Sequence, residues 1–136
     1  MGDAKYKPGD RITKGSLLRR VPPDTGSFPR GLQELPSRQA FEPKKGDSGI
    51  SAYLAELTTE DEALGGNQGF ALVEIEIAEV TARGFTVTYD PTANERGHVL
   101  VKGVFSPSAR KALSQNCKVK RVGDATLWQR NLPRKI

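Results

Sequence analysis

The sequence FALVEIEIAEV, residues 70–80, decides the fold class, because apolar and polar side chains alternate in it more clearly than anywhere else in the chain. A period of two is typical of a β-strand that buries one face, here the face of Val73, Ile75 and Ile77. The sequence FTVTY at 85–89 alternates in the same way after a turn at 81–84. Together the two stretches predict an antiparallel hairpin with one buried face.

Shorter strands and two helices are predicted on either side of this hairpin. Thr59 and Glu62 fit a capping box that starts one short helix. Ser106 followed by Pro107 starts another. The additional predicted strands lie at 16–22, 50–57, 98–105 and 117–122, the second of which also fits a helix. This order predicts an α+β fold, a single domain with a largely antiparallel sheet and two short helices.

The 136 residues suffice for one domain. We expect a flexible N-terminal segment at 1–16, the domain at 17–125 and a basic tail at 126–136. A loop at 22–49 holds five prolines and four glycines, and one short ordered piece is expected in it at 37–41. No run of 18 apolar residues and no signal segment is found. The sequence therefore predicts a cytoplasmic protein that does not enter a membrane.

The net charge of +5 is divided unevenly along the chain. Residues 1–45 carry ten bases and five acids, residues 46–98 carry two bases and ten acids, and residues 99–136 carry nine bases and one acid. The three segments thus have net charges of +5, −8 and +8. Such a partition can steer an oppositely charged partner, unless the ends fold around the acidic middle and the signs neutralise.

The basic C-terminal third leads to the first functional hypothesis, a non-enzymatic binding or accessory protein. Its basic face would engage an acidic protein or a nucleic acid, since several cations on one surface are needed to neutralise phosphates. No nucleic-acid motif accompanies the charge, and few aromatic residues lie near it. The candidate partner-binding residues are Arg110, Lys111, Lys118, Lys120, Arg121 and Arg130.

Several chemistries are excluded or weakened by composition. One cysteine, Cys117, cannot form an internal disulfide, and together with one histidine, His98, it cannot build the usual zinc sites. We therefore expect no metal and no cofactor. Glu74 and Glu76 share a strand face and could act as an acid and base pair, but we favour the polar face of an amphipathic strand, because alternation predicts it without catalysis. Lys118 beside Cys117 could lower the pKa of the thiol, although a core cysteine is the alternative.

The alternative hypothesis is a small enzyme. Arg19 or Arg20, then Ser37, then the triplet Glu74-Ile75-Glu76, resemble in order the Arg, Ser and Glu-x-Glu marks of arginine-directed ADP-ribosyltransferases. The resemblance implies that Arg20 and Ser37 hold NAD and that Glu76 serves the transfer. The family's Ser-Thr-Ser motif reads Ser37-Arg38-Gln39 here.

A second version of the enzyme hypothesis uses His98. This histidine could act as a general base in a cleft covered by the loop at 22–49, or it could be a structural residue. The sequence names no partner for it.

The sequences LLRRVPP at 17–23 and SRQAF at 37–41, with the strand that starts at His98 and leads to a serine-capped helix, resemble small uncharacterised bacterial proteins. The resemblance covers residues 17–122 and implies no activity.

Overall fold

A computed structural model describes residues 5–130 of the chain, with side chains as far as Leu127. Six strands form one sheet in the order β4-β5-β2-β1-β3-β6, and every neighbouring pair is antiparallel. The strands are β1 Ser16–Val21, β2 Gly49–Leu54, β3 Ala71–Glu76, β4 Thr86–Tyr89, β5 His98–Lys102 and β6 Lys118–Arg121. The α-helices are α1 Glu60–Leu64, α2 Ile77–Thr81, α3 Pro107–Gln115 and α4 Ala125–Arg130, with 3-10 helices at Arg38–Phe41 and Ala55–Leu57. The chain is a single small α+β domain, as the sequence predicts.

The two predicted helix starts are confirmed. Thr59 accepts a hydrogen bond from the N–H of Glu62, and the Glu62 side chain accepts one from the N–H of Thr59. Ser106 caps α3 with Pro107 at its start. The expected ordered piece of the 22–49 loop is also present, since Ser37 caps the 3-10 helix at Arg38–Phe41.

The predicted strand at 70–80 is wrong in its second half, because the chain turns into helix α2 after Glu76. Ile77 and Val80 are both buried, and their spacing of three residues places them on the same face of a helix. The predicted strand at 50–57 is likewise wrong at its end, because β2 ends at Leu54 and a 3-10 helix follows at Ala55–Leu57.

The predicted hairpin between residues 70–80 and 85–89 is also wrong. Strand β3 pairs with β1 and β6, whereas β4 pairs with β5. Helix α2 separates β3 from β4 and carries the chain to the opposite end of the sheet.

The two faces of the sheet are covered unequally. One face carries the main core, where Val73, Ile75 and Val99 pack with Phe41 and with Leu113 of α3. On the other face α1 covers β1 and β3, burying Leu18, Leu64 and Leu72 with Tyr53. No described helix packs on this second face over β5, which leaves room there for a cleft.

The N-terminal segment and the C-terminal tail both extend the domain. Ile12 is 2% exposed, and its N–H donates to the carbonyl of Val87 in β4 at 2.8 Å. Residues 126–130 of the predicted tail belong to α4, which begins at Ala125, while residues 131–136 lie outside the described part. Within residues 5–130, none of the helices has the length and apolar character that crossing a membrane requires.

The sheet is split at its centre. Strands β1 and β2 are in register at Leu17 with Leu54 and at Leu18 with Tyr53, and no further pairs join them. Beyond that point β1 stays paired to β3 and β2 stays paired to β5. The gap between β1 and β2 opens onto the second face of the sheet, beside the part that α1 covers.

Candidate functional site

A cleft of about 730 Å³ lies at the split in the sheet. Its floor consists of side chains of β1, β2 and β5 on the second face of the sheet, the face that α1 covers only in part. Glu42, Lys44, Asp47 and Ser48 of the proline-rich loop line one side, and Asn67 and Phe70, which follow α1, line another. The floor residues are Arg20, Ser51, Tyr53, His98 and Leu100.

A serine, a histidine and an aspartate are hydrogen-bonded in series in this cleft. Nε2 of His98 lies 3.0 Å from Oγ of Ser51. Nδ1 of His98 lies 2.8 Å from the backbone carbonyl oxygen of Asp90 and 3.3 Å from its carboxylate oxygen Oδ2. The arrangement is that of a nucleophile, a base and a group that orients the base.

The partners of His98 fix which of its nitrogens carries the proton. The carbonyl oxygen of Asp90 can only accept a hydrogen bond, so Nδ1 of His98 carries the hydrogen and donates it. In the neutral ring Nε2 then has a lone pair, which accepts the hydroxyl hydrogen of Ser51. This is the tautomer that a general base acting on Ser51 requires.

Strand register brings these residues together across long sequence distances. Ser51 lies opposite Leu100, so His98 is its diagonal neighbour on the same face of the β2–β5 pair. Asp90 directly follows β4, and its N–H donates to the carbonyl of His98 at 2.9 Å. The backbone therefore holds both partners of the imidazole in place.

Tyr53 supports the imidazole from the other side. Its ring meets the His98 ring edge to face, with centroids 5.6 Å apart. Burial, and then a hydrogen bond to Glu95, raise the pKa of Tyr53, so the phenol remains protonated at neutral pH and donates to the Glu95 carboxylate at 2.6 Å. Packing on one side and hydrogen bonds at both nitrogens restrict the rotation of His98, whose side chain is 12% exposed.

Arg19 fills the gap between β1 and β2. Its Nη1 donates to the carbonyl of Ser51 at 2.6 Å, and its Nε donates to the carbonyl of Ala40 at 2.7 Å. Burial, followed by the charge of Arg20, lowers the pKa of Arg19 to about 10. The guanidinium is therefore still cationic at neutral pH, next to Ser51.

Arg20 extends along the cleft floor. Its guanidinium lies over the Tyr53 ring, 5.7 Å from the centroid, and Nη1 donates to the carbonyl of Ala63 at 3.2 Å. Neither Arg19 nor Arg20 forms an ion pair with a carboxylate among residues 5–130.

The basic residues predicted to bind a partner lie elsewhere, and acidic side chains of the chain engage three of them. Arg110 pairs with Glu42, Lys120 lies 3.7 Å from Glu74, and Arg121 contacts both Glu60 and Asp61. Lys111 and Lys118 are exposed and have no ion pair within the described range. The side chain of Arg130 lies outside the described residues.

The residues that resemble an ADP-ribosyltransferase are not brought together. Arg20 lies opposite Leu72, and Glu76 follows four residues further along β3. At about 3.4 Å per residue along the strand and about 5 Å between strands, the Cα atoms of Arg20 and Glu76 are about 14 Å apart. The hydroxyl of Ser37 donates to the carbonyl of Gly26 at 2.7 Å and accepts from the N–H of Gln39, as a local cap.

The other sequence candidates have structural positions. Glu74 lies beside Lys120, and Glu76 is the residue before α2. Cys117 is 5% exposed, and burial raises the pKa of its thiol to about 11, opposite to the lowering expected from Lys118. In the described part of the chain, no three His, Cys, Asp or Glu side chains converge as a metal site would require.

Ser51 and Asp90 are the cleft partners of His98 that sequence reasoning missed. Ser51 is the polar residue of the apolar stretch ISAYL, and Asp90 directly follows the clear strand FTVTY. Both positions could have been flagged as polar residues at strand faces or ends. Linking them to His98 required the β2–β5 and β4–β5 pairings.

Comparison of the chain with protein-family models, with curated proteins and with solved structures finds no match.

Proposed function

We propose that the protein is a serine-dependent ester hydrolase in which Ser51 is the nucleophile, His98 the general base and Asp90 the group that orients His98. The observation that carries the proposal is the 3.0 Å contact between His98 Nε2 and Ser51 Oγ inside an open cleft. A nucleophile must be accessible to its substrate, and Ser51 is exposed on the cleft floor.

The reaction follows from the proton positions. Oγ of Ser51 attacks the ester carbonyl carbon while its proton passes to Nε2 of His98. The carbonyl reforms as the bond to the alkoxy group breaks, and Nε2 returns the proton to the departing alcohol. Water then attacks the acyl-serine, again losing a proton to His98, and the acid leaves as Ser51 regains its hydrogen.

Negative charge on the reacting oxygen needs a donor close to Ser51. The carbonyl of Ser51 faces the gap, where it accepts from Arg19, and the N–H of a strand residue points to the same edge as its carbonyl. The Ser51 N–H and the Arg19 guanidinium therefore lie on the side of the nucleophile where an oxyanion would be stabilised.

A binding role for the basic C-terminal face stays a prediction, and the contacts support it less than they support the cleft. Ion pairs within the chain already reduce the positive potential around Arg110, Lys120 and Arg121. The Ser51 and His98 contact, in contrast, has no evident role in stabilising the sheet, since backbone pairing already joins β2 to β5.

The proposal is tested by hydrolysis of 4-nitrophenyl acetate and by labelling with a fluorophosphonate, which reacts with activated serines. We expect Ser51→Ala and His98→Gln each to lower kcat by about 10³-fold or more. Mass spectrometry of the labelled wild-type protein should place the adduct on Ser51.

Ser108→Ala serves as the matched control, because Ser108 is an exposed serine in α3 outside the cleft. Its activity and labelling should equal those of the wild type. Hydrolysis that survives in Ser51→Ala, or an adduct on another residue, would contradict the proposal.

A further inference from the structure

We infer that the substrate carries an anionic oxygen group, a phosphate or a carboxylate, which Arg20 and Arg19 bind beside Ser51. The inference rests on the proposed ester hydrolysis and names its substrate class. It follows from two adjacent cationic side chains that line the cleft without an acidic partner.

Arg20 is positioned by its surroundings but is not neutralised by them. The Tyr53 ring and the Ala63 carbonyl hold one side of the guanidinium. The Tyr53 phenol also interacts with this guanidinium, but no carboxylate pairs with it among the described residues. A guanidinium presents its donors as a fork that matches two oxygens of a phosphate or carboxylate.

Arg19 brings a second positive charge close to the first. The two guanidinium groups repel each other, and this repulsion adds to burial, the larger cause, in lowering the pKa of Arg19. A bound anion would relieve that repulsion because it interacts favourably with both cations. Because Arg19 contacts the Ser51 carbonyl, an anion bound to Arg19 would lie close to the nucleophile.

The acids of the cleft do not cancel this charge. Glu42 is paired with Arg110, and Asp90 lies beside His98. Asp47 is exposed on the loop wall, where its N–H donates to the carbonyl of Lys44. The described lining therefore leaves the floor around Arg19 and Arg20 positively charged.

Anion binding can be measured without catalysis in the Ser51→Ala protein. Inorganic phosphate and succinate are titrated separately, followed by thermal denaturation and calorimetry. We expect at least one of them to raise the Tm, with a Kd on the order of 1 mM, and we expect Arg20→Gln to weaken that binding about tenfold. Arg38→Gln, which removes an exposed arginine outside the cleft lining, should leave binding unchanged.

Each outcome discriminates. Binding of phosphate alone identifies a phosphorylated substrate, and binding of succinate alone identifies a carboxylated one. Comparable binding of both supports the shared oxyanion chemistry. No binding of either, or binding that Arg20→Gln does not weaken, overturns the inference while hydrolysis of 4-nitrophenyl acetate still tests the proposed function by itself.

Discussion

His98 donates from Nδ1 to the backbone carbonyl of Asp90 at 2.8 Å, a shorter contact than the 3.3 Å to the carboxylate of the same residue. Serine hydrolases commonly use a carboxylate to select the histidine tautomer, and loss of its charge is then costly. Here the carbonyl selects the tautomer, because it can only accept. The carboxylate, 58% exposed, adds electrostatic stabilisation of the imidazolium that solvent weakens.

Replacement of Asp90 by asparagine should therefore cost little. We expect Asp90→Asn to lower kcat by less than about tenfold, compared with about 10³-fold or more for His98→Gln. Steady-state hydrolysis of 4-nitrophenyl acetate compares the two variants. Equal losses in both would show that the carboxylate, and not the carbonyl, orients the imidazole.

Gly65 couples the end of α1 to the anion-binding arginine. It has a φ of +58°, and a Cβ placed on it would lie 2.5 Å from Nη1 of Arg20. Gly65→Ala should lower the free energy of unfolding by about 1–2 kcal/mol for the left-handed backbone, and it should also displace Arg20 and weaken phosphate or succinate binding. Denaturant unfolding and calorimetry measure the two effects.

Gly66→Ala is the matched control for this prediction. Gly66 also has a positive φ, of +79°, but its added Cβ would meet nothing within 4 Å. It should lose stability without losing anion affinity. If both variants bind anions like the wild type, the position of Arg20 is not set by the contact at Gly65.

Docking of the N-terminal segment on β4 should contribute to stability. Ile12 is buried in the main core, so Ile12→Ala should lower the free energy of unfolding by about 2–5 kcal/mol. Leu35→Ala removes a large apolar side chain that is 40% exposed, and it should change stability by less than about 0.5 kcal/mol. Urea denaturation compares them, and equal, small effects would indicate a loosely held segment.

Glu56 should make stability depend on pH at the acidic end. Hydrogen bonds from Lys5 at 2.8 Å and from Tyr6 at 2.7 Å lower the pKa of this carboxyl in the folded chain. Its contribution is therefore present above the unfolded pKa and is lost as the pH falls through the lower folded pKa. Between about pH 7 and about pH 3, the Tm of the wild type should fall more than that of Glu56→Gln.

Glu34→Gln provides the comparison for Glu56→Gln, since Glu34 is exposed and has no side-chain partner in the described structure. Its Tm should follow that of the wild type across the same range. A parallel decline in all three proteins would mean that the contacts of Glu56 do not contribute.

The sequence predicted local structure better than pairing. Caps at Thr59 and Ser106 and the ordered piece at 37–41 depend on a few neighbouring residues, and all three are present. The pairing of β3 with β1 joins residues 50 to 60 positions apart, and no local signal distinguishes it from a hairpin with β4. The alternation up to Ile77 predicted a strand, whereas the burial of both Ile77 and Val80, three residues apart, fits the shared face of a helix.

The candidate site shows the same limit. His98 was recognisable as a possible base, but its partners come from β2 and from the end of β4. Charge counting pointed to the basic C-terminal third, because a sum over sequence cannot show that Glu42, Glu74 and Asp61 lie beside those bases. Arg19 and Arg20, which line the cleft and have no ion pair within residues 5–130, belong to β1 near the N-terminus.

The split between β1 and β2 also places the proposed catalytic residues and the proposed anion-binding residue in different halves of the sheet. Ser51, His98 and Asp90 belong to the three-strand half formed by β4, β5 and β2, whereas Arg20 belongs to the half formed by β1, β3 and β6. Two residue pairs and the side chain of Arg19 join the halves there. A small rotation of one half against the other would change the distance between Ser51 and an anion bound at Arg20. The positions of Ser51, His98 and Asp90 relative to one another would stay the same. Substrate size could thus be retuned, by mutation or by design, without rebuilding the catalytic machinery.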